Sequence, residues 1–308
     1  MFCSNGCGHN AGHWTGALRD LPVDAFRHPS GREHEGAKTM GVNDNSEKSL
    51  PGREMADDSQ YSLVKIITIW ALATAPMTLF AFVVTPAIIS YFAIPASTPP
   101  FLVFWPLMIL GLVWQFVLSL IIIHNETGNL KWETMKKRMW YTMPRDPITG
   151  EKRASLFLWA IPFIASGLVL MTFPLPDFLG SVFPAINSLP HYNMGALMTP
   201  EFQGAWMLVV LTLITIPFNY FLGEEFLFRG ILLPKMNGVF GKWDWFFNGV
   251  FFGLYHLHKP QGILSQVLFS GFLLSYPAKR FRSNWMAVII HGIEAPLALW
   301  FVLGIVLG

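Results

Sequence analysis

The sequence predicts an all-α fold: a polytopic bundle of about seven transmembrane helices, within a range of six to eight, behind a disordered tail. Three observations predict it. Hydrophobic residues make up 53% of the 308-residue chain and charged residues only 13%, whereas soluble domains carry about 25% charged residues. The apolar residues fall in long runs separated by short polar stretches, and the basic residues concentrate in alternate stretches between those runs. A net charge of +2 is too mild to mark a nucleic-acid partner. Cys3 and Cys7, the only cysteines, exclude a disulfide scaffold.

Taken in chain order, residues 1–60 have no long apolar run and cannot bury a core, so a disordered cytoplasmic tail is expected there. Cys3, Cys7, His9 and His13 resemble a metal set, but their spacing departs from two-Cys, two-His fingers. Met40 and Met55 are alternative starts, and no signal peptide with an apolar core follows Met1. The transmembrane domain is expected over 61–308. Its apolar runs are Ser62 to Tyr91, Phe101 to Ile123, Ser155 to Phe173, Ala205 to Leu233, Trp243 to Leu257, Ile263 to Tyr276 and Trp285 to Leu307. Against a span of roughly 20 residues, the fifth and sixth runs are short and the first and fourth long. Pro76, Pro86 and Pro217 lie inside spans and should kink them. Between the second and third runs, Lys131, Lys136, Lys137, Arg138, Arg145, Lys152 and Arg153 accumulate, while Ala93 to Pro100 and Leu175 to Gly204 hold neither Lys nor Arg. An amino terminus in the cytoplasm satisfies that asymmetry, with Lys259 the one exception.

The fourth run carries an anomaly: Glu224-Glu225-Phe226-Leu227-Phe228-Arg229. On insertion scales each charge at a helix centre costs about 2.5–3.5 kcal/mol, while each Leu, Ile, Phe or Val returns about 0.3–0.6 kcal/mol. Three charges therefore need protein or water around them. Glu225 and Arg229, spaced i to i+4, can form an ion pair. At 100 degrees per residue Glu224 points roughly 140 degrees from Arg229, towards another helix. At 1.5 Å per residue, Glu224 lies roughly 16 Å from Lys235, His256 roughly 18 Å from Asp244, and His291 roughly 10 Å from Asn284. Three helices thus bring ionisable groups to similar depth, where a carboxyl beside imidazoles can act as general base on water.

The order Glu-Glu-x-x-x-Arg at Glu224, Glu225 and Arg229, then Phe-x-x-x-His at Phe252 and His256, then a late-helix His291, resembles the CPBP family. That family comprises the CAAX proteases and bacteriocin-processing enzymes, also called Abi proteins, and includes the type II CAAX prenyl endopeptidases. The resemblance covers about 205–300. It implies an intramembrane endopeptidase in which Glu224 activates water with help from His256 and His291 contacts the carbonyl oxyanion, as stabilisation of a tetrahedral intermediate requires. Glu225, Arg229, Phe252 and Glu294 are expected to support the site.

One position departs from the family pattern. Four residues after the motif-three His, where Asn or Asp is usual, stands Ala295, with Glu294 beside it and Pro296 next. An oxyanion needs donors, and an ionised Glu294 would repel it. The expected substrates are peptides or lipidated proteins in contact with membrane lipid, including a prenylated carboxy terminus, and the expected setting is a bacterial plasma membrane. No cofactor is expected. Were a metal used, zinc on Glu225, His256 and His291 would suit neutral imidazole and carboxylate, although no His-Glu-x-x-His helix occurs. The rival reading is a non-catalytic chaperone or immunity-type binding protein that keeps the polar cluster for packing. Proton-linked transport is the third.

Overall fold

A computed structural model describes residues 59–172, 181–184, 194–260 and 263–308. The tail residues Cys3, Cys7, His9 and His13, and most of the stretch between 173 and 193, lie outside the described residues. The described chain is helical, with one isolated antiparallel bridge between Arg145 and Lys152. All seven apolar runs form helices: α1 (Leu63–Tyr91), α2 (Phe101–Thr127), then after the short loop helix α3 (Trp132–Arg138), α4 (Ala154–Leu170), α5 (Met207–Lys235), α6 (Asp244–Tyr255), α7 (263–281) and α8 (Asn284–Leu307). Four of them, α1, α2, α5 and α8, are long and apolar enough to cross a membrane by length and composition. The 12 residues of α6 span only about 18 Å, less than a hydrocarbon core of about 30 Å. Instead α6 packs against α7 so closely that a Cβ on Gly249 would sit 2.4 Å from Gly271 Cα.

The molecule is apolar outside and partly charged inside. Val64, Ile161, Leu213 and Trp300 are exposed, whereas Glu224, Glu225, Arg229, Asp244, His256 and His291 are buried. In lipid this arrangement is the stable one, since the hydrocarbon accepts Leu and Val but each buried charge must find protein.

The prolines act through slipped hydrogen-bond ladders. Proline lacks an N–H, so the carbonyl one turn back loses its donor, and the chain widens to i→i+5 turns that find another. Ahead of Pro86 this happens at Phe80–Val84, where Thr85 donates to the Phe80 carbonyl through its backbone N–H and, at 2.7 Å, through its hydroxyl. Wide turns also run over Phe218–Leu222, directly after Pro217, and over Glu225–Leu232, ahead of Pro234, and the Gly230 carbonyl that Pro234 leaves without its helix donor accepts from Arg138. Pro76, where a kink is also expected, sits inside an α-helical stretch unbroken over Leu63–Leu79, and the second run of wide turns carries Glu225 and Arg229. At Gly223 a Cβ would lie 2.5 Å from the Phe218 carbonyl oxygen and 3.0 Å from that of Leu112, so only glycine lets α5 approach α2 at the entry to the motif.

Polar side chains from three elements hold this irregular stretch. Arg138 of α3 donates to the Gly230 and Ile231 carbonyls at 3.2 Å each, and to Glu126 at 2.9 Å. Glu126 also accepts from Tyr61 and Lys65. Burial pushes the Tyr61 phenol up from its ordinary value, so it remains a donor to that carboxylate. Asn248 of α6 donates to the Phe228 carbonyl at 2.8 Å and Asn284 of α8 to the Glu225 carbonyl at 3.1 Å. A further tie closes the same end of the bundle, where Lys279 pairs with Asp244.

Candidate active site

The buried polar cluster is built on the wide turns of α5, on the carboxy-terminal end of α6 and on the first half of α8. Glu225 is its centre. Its Oε1 accepts from Arg229 Nη1 at 3.3 Å and from His291 Nδ1 at 2.8 Å, with Glu225 and Arg229 fully buried. The ion pair expected from the i to i+4 spacing is present. Arg229 has further partners: the Ser270 hydroxyl, and the Phe252 ring, whose centroid lies 4.2 Å from the guanidinium. Phe252, singled out in the sequence only by its place in a motif, is thus a cation–π platform for the buried arginine.

His291 is fixed on both sides. Its Nδ1 is held by Glu225, Tyr220 meets the ring edge-on at a centroid distance of 4.9 Å, and Nε2 is 3.9 Å from Glu294 Oε2. Glu294 is only partly buried, with 25% of its side chain exposed. Depth and helix phase alone left His291 open to Glu224; in the structure its hydrogen bond goes to Glu225.

His256 sits at the end of α6 with Nδ1 2.8 Å from the Phe252 carbonyl oxygen. A carbonyl only accepts, so Nδ1 carries the hydrogen and a neutral ring keeps its lone pair on Nε2. Its ring stacks on that of His258 at 5.5 Å and lies 4.7 Å from Phe252.

Glu224 is 4% exposed and forms no ion pair or hydrogen bond among the described residues. The charged groups whose fields act on it include His291, Lys259, Glu225 and Arg229. Wide turns explain the presence of Arg229 in that set. Where the ladder runs i→i+5, residue 229 lies closer to the face of residue 224 than the roughly 140 degrees of an α-helix. Glu224 and Arg229 therefore share more of a face than an α-helical phase gives, while Glu225 takes the ion pair.

Among the described residues no group of three or more His, Cys, Asp or Glu side chains converges to hold a metal ion. Glu225, His256 and His291 are not gathered as a ligand set: His291 spends Nδ1 on Glu225, and His256 turns its Nδ1 to its own helix. A groove of about 520 Å³ lined by Met198, Gln203, Trp300 and Gly304 lies at the far end of α8, roughly 14 Å along the helix from His291, away from this cluster.

Sequence reasoning passed over Gln115, Tyr255, Asn248, Ser270 and Asn284. Each is a polar residue inside an apolar helix, and polarity within an apolar run was the signal that could have found them. Gln115 and Tyr255 are fully buried, and the Tyr255 hydroxyl is directed towards Gln115 and Glu224.

Residues 202–294 match the family model described as Type II CAAX prenyl endopeptidase Rce1-like. This segment runs from the start of α5 into α8 and contains the whole cluster. No curated protein and no solved structure matches the chain. The matched segment is thus similar to a family of membrane proteases, and the four apolar helices suit an integral membrane protein.

Proposed function

Proceeding from a segment similar to type II CAAX prenyl endopeptidases at residues 202–294, we propose that the protein is an intramembrane glutamic endopeptidase. Glu224 takes a proton from water, assisted by the lone pair on His256 Nε2. The resulting hydroxide adds to the scissile carbonyl carbon. His291 donates from Nε2 to the oxygen that gains charge, and the Glu225 carboxylate on its Nδ1 offsets the imidazolium this requires. Collapse of the tetrahedral intermediate breaks the carbon–nitrogen bond, with the proton held by Glu224 passing to the leaving amine. The observation that carries this reading is a division of labour between adjacent carboxyls: Glu225 Oε1 is committed to Arg229 and His291, while Glu224, also buried, is tied to neither Arg229 nor His291 by a hydrogen bond.

The proposed substrate is a peptide or protein with a lipidated, prenyl-type carboxy terminus, whose lipid lies along the apolar outer surface while the scissile bond enters the polar cluster. The chemistry needs no metal. Purified protein tested on a panel of lipidated and plain peptides should cleave a lipidated member, resist chelators, and lose activity in Glu224→Ala and His256→Ala. Chelator inhibition reversed by zinc would overturn the metal-free chemistry. Ala295, where the family pattern has a polar residue, favours a second reading, a non-catalytic binding protein of the same fold. Peptide that is bound but never cut would establish that reading instead.

A further inference from the structure

Ala295 removes a hydrogen-bond donor from the place where the family pattern supplies one, and a methyl group cannot hold a developing oxyanion. The buried interior contains polar atoms that can. Tyr255 Oη and both ends of the Gln115 amide are buried and close no hydrogen bond among the described residues. Both residues are fully buried. The Tyr255 hydroxyl approaches the Gln115 amide and the Glu224 carboxyl, but not in a closed hydrogen bond. Buried polar atoms in native proteins are nearly always paired, and those that are not call for an explanation in catalysis, water or ligand. These belong to two different helices, α2 and α6, and the Tyr255 hydroxyl reaches the Glu224 carboxyl.

Packing fixes where the hydroxyl points. The Tyr255 ring lies 5.2 Å from Phe228 and 5.8 Å from Phe252 by centroid distance, and 4.8 Å from His256. Three rings on two helices hold it, so the phenol is pre-organised and does not have to be ordered during the reaction. Tyr255 also directly precedes His256 at the end of α6, so one helix terminus carries both groups to the same side of Glu224.

We propose that Tyr255 is a catalytic residue, whose hydroxyl donates to the scissile carbonyl oxygen in place of the polar side chain missing at position 295, with Gln115 as the positioning residue. With substrate in place, Gln115 donates from Nε2 to the phenolic oxygen, which orients the phenolic hydrogen towards the substrate. The geometry suits the role because water activated by Glu224 must attack a carbonyl next to that carboxyl, so a donor beside Glu224 is also beside the oxygen that becomes charged. This assignment rests on the endopeptidase reading above and completes its donor set with a phenol, which carries no charge at neutral pH.

The test is Tyr255→Phe in the full-length protein, assayed in lipid bicelles on farnesylated and unmodified peptides ending in Cys-a-a-X. The expected result is a fall in kcat of about 10²-fold, the effect of losing one oxyanion donor. KM and the pH profile should be unchanged, and the melting temperature unchanged or raised because the phenylalanine keeps the ring and removes an unpaired hydroxyl. Gln115→Leu should give a smaller fall in kcat with the same unchanged KM. A Tyr255→Phe protein that cleaves at the wild-type rate overturns this assignment and leaves the endopeptidase reading intact. A shifted pH profile with kcat otherwise preserved also overturns it, since Tyr255 would then be acting on Glu224. If the wild-type protein cuts neither peptide, the endopeptidase reading falls and this assignment with it.

Discussion

Glu224 and Glu225 are neighbours in sequence with opposite tasks, and single substitutions should separate them. Glu225→Ala leaves Arg229 as a buried cation without its carboxylate and releases His291, so it should destabilise the protein by about 3–5 kcal/mol. Thermal unfolding in detergent would register it as an early transition. Glu224→Gln removes a carboxyl that makes no hydrogen bond or ion pair among the described residues, so the melting temperature should hold or rise. Cleavage should still drop by about 10³-fold through loss of the general base. A Glu224→Gln protein that melted early and a Glu225→Ala protein that did not would reverse the assignment. Phe252→Leu should keep the apolar volume but remove the face on which Arg229 rests, with a loss of about 1–2 kcal/mol.

At the scale of the element, α5 is the part that makes the site, because its wide turns set where each side chain points. Their stability depends on donors from outside the helix: Arg138 on the Gly230 and Ile231 carbonyls, Asn248 on that of Phe228, and Asn284 on that of Glu225. Arg138→Ala removes two of these contacts together with the Glu126 ion pair, which is largely shielded from solvent, and should cost about 2 kcal/mol in unfolding free energy. Gly223→Ala tests the entry to the motif. Its new methyl would press on two backbone carbonyls, which cannot rotate aside as a flexible side chain can. The expected cost is about 1–3 kcal/mol, accompanied by reduced cleavage, because the displaced turn carries Glu224.

At the scale of the whole molecule, the exposed surface is apolar and the interior holds the charges, so stability requires a lipid or detergent belt. The basic stretch from Lys131 to Arg153 is expected on the cytoplasmic side and the segment from Ala93 to Pro100 on the other. Because Cys3 and Cys7 are the only cysteines, a variant with both changed to Ser offers a clean background for single cysteines at Lys136 and Ser97. In intact cells an impermeant thiol reagent should label position 97 and spare position 136. The reverse labelling would invert the proposed topology.

The helices, their order and the need for an internal polar cluster follow from the sequence by itself, because apolar runs of span length have few alternatives and intramembrane charge must be satisfied. The Glu225–Arg229 pair was legible for the same reason, since both ends lie on one segment four residues apart. What only the tertiary structure decided is which carboxyl meets which imidazole. The ladder over Glu225–Leu232 runs i→i+5, and the phase on which Glu224 was placed against Arg229 changes. His291 meets Glu225, and the Tyr255 hydroxyl lies between the Glu224 carboxyl and Gln115. Those last contacts join α2, α5 and α6 across more than a hundred residues of chain. Periodicity within one helix carries no information about them, because they depend on how deep each helix sits and how it is rotated against its neighbours.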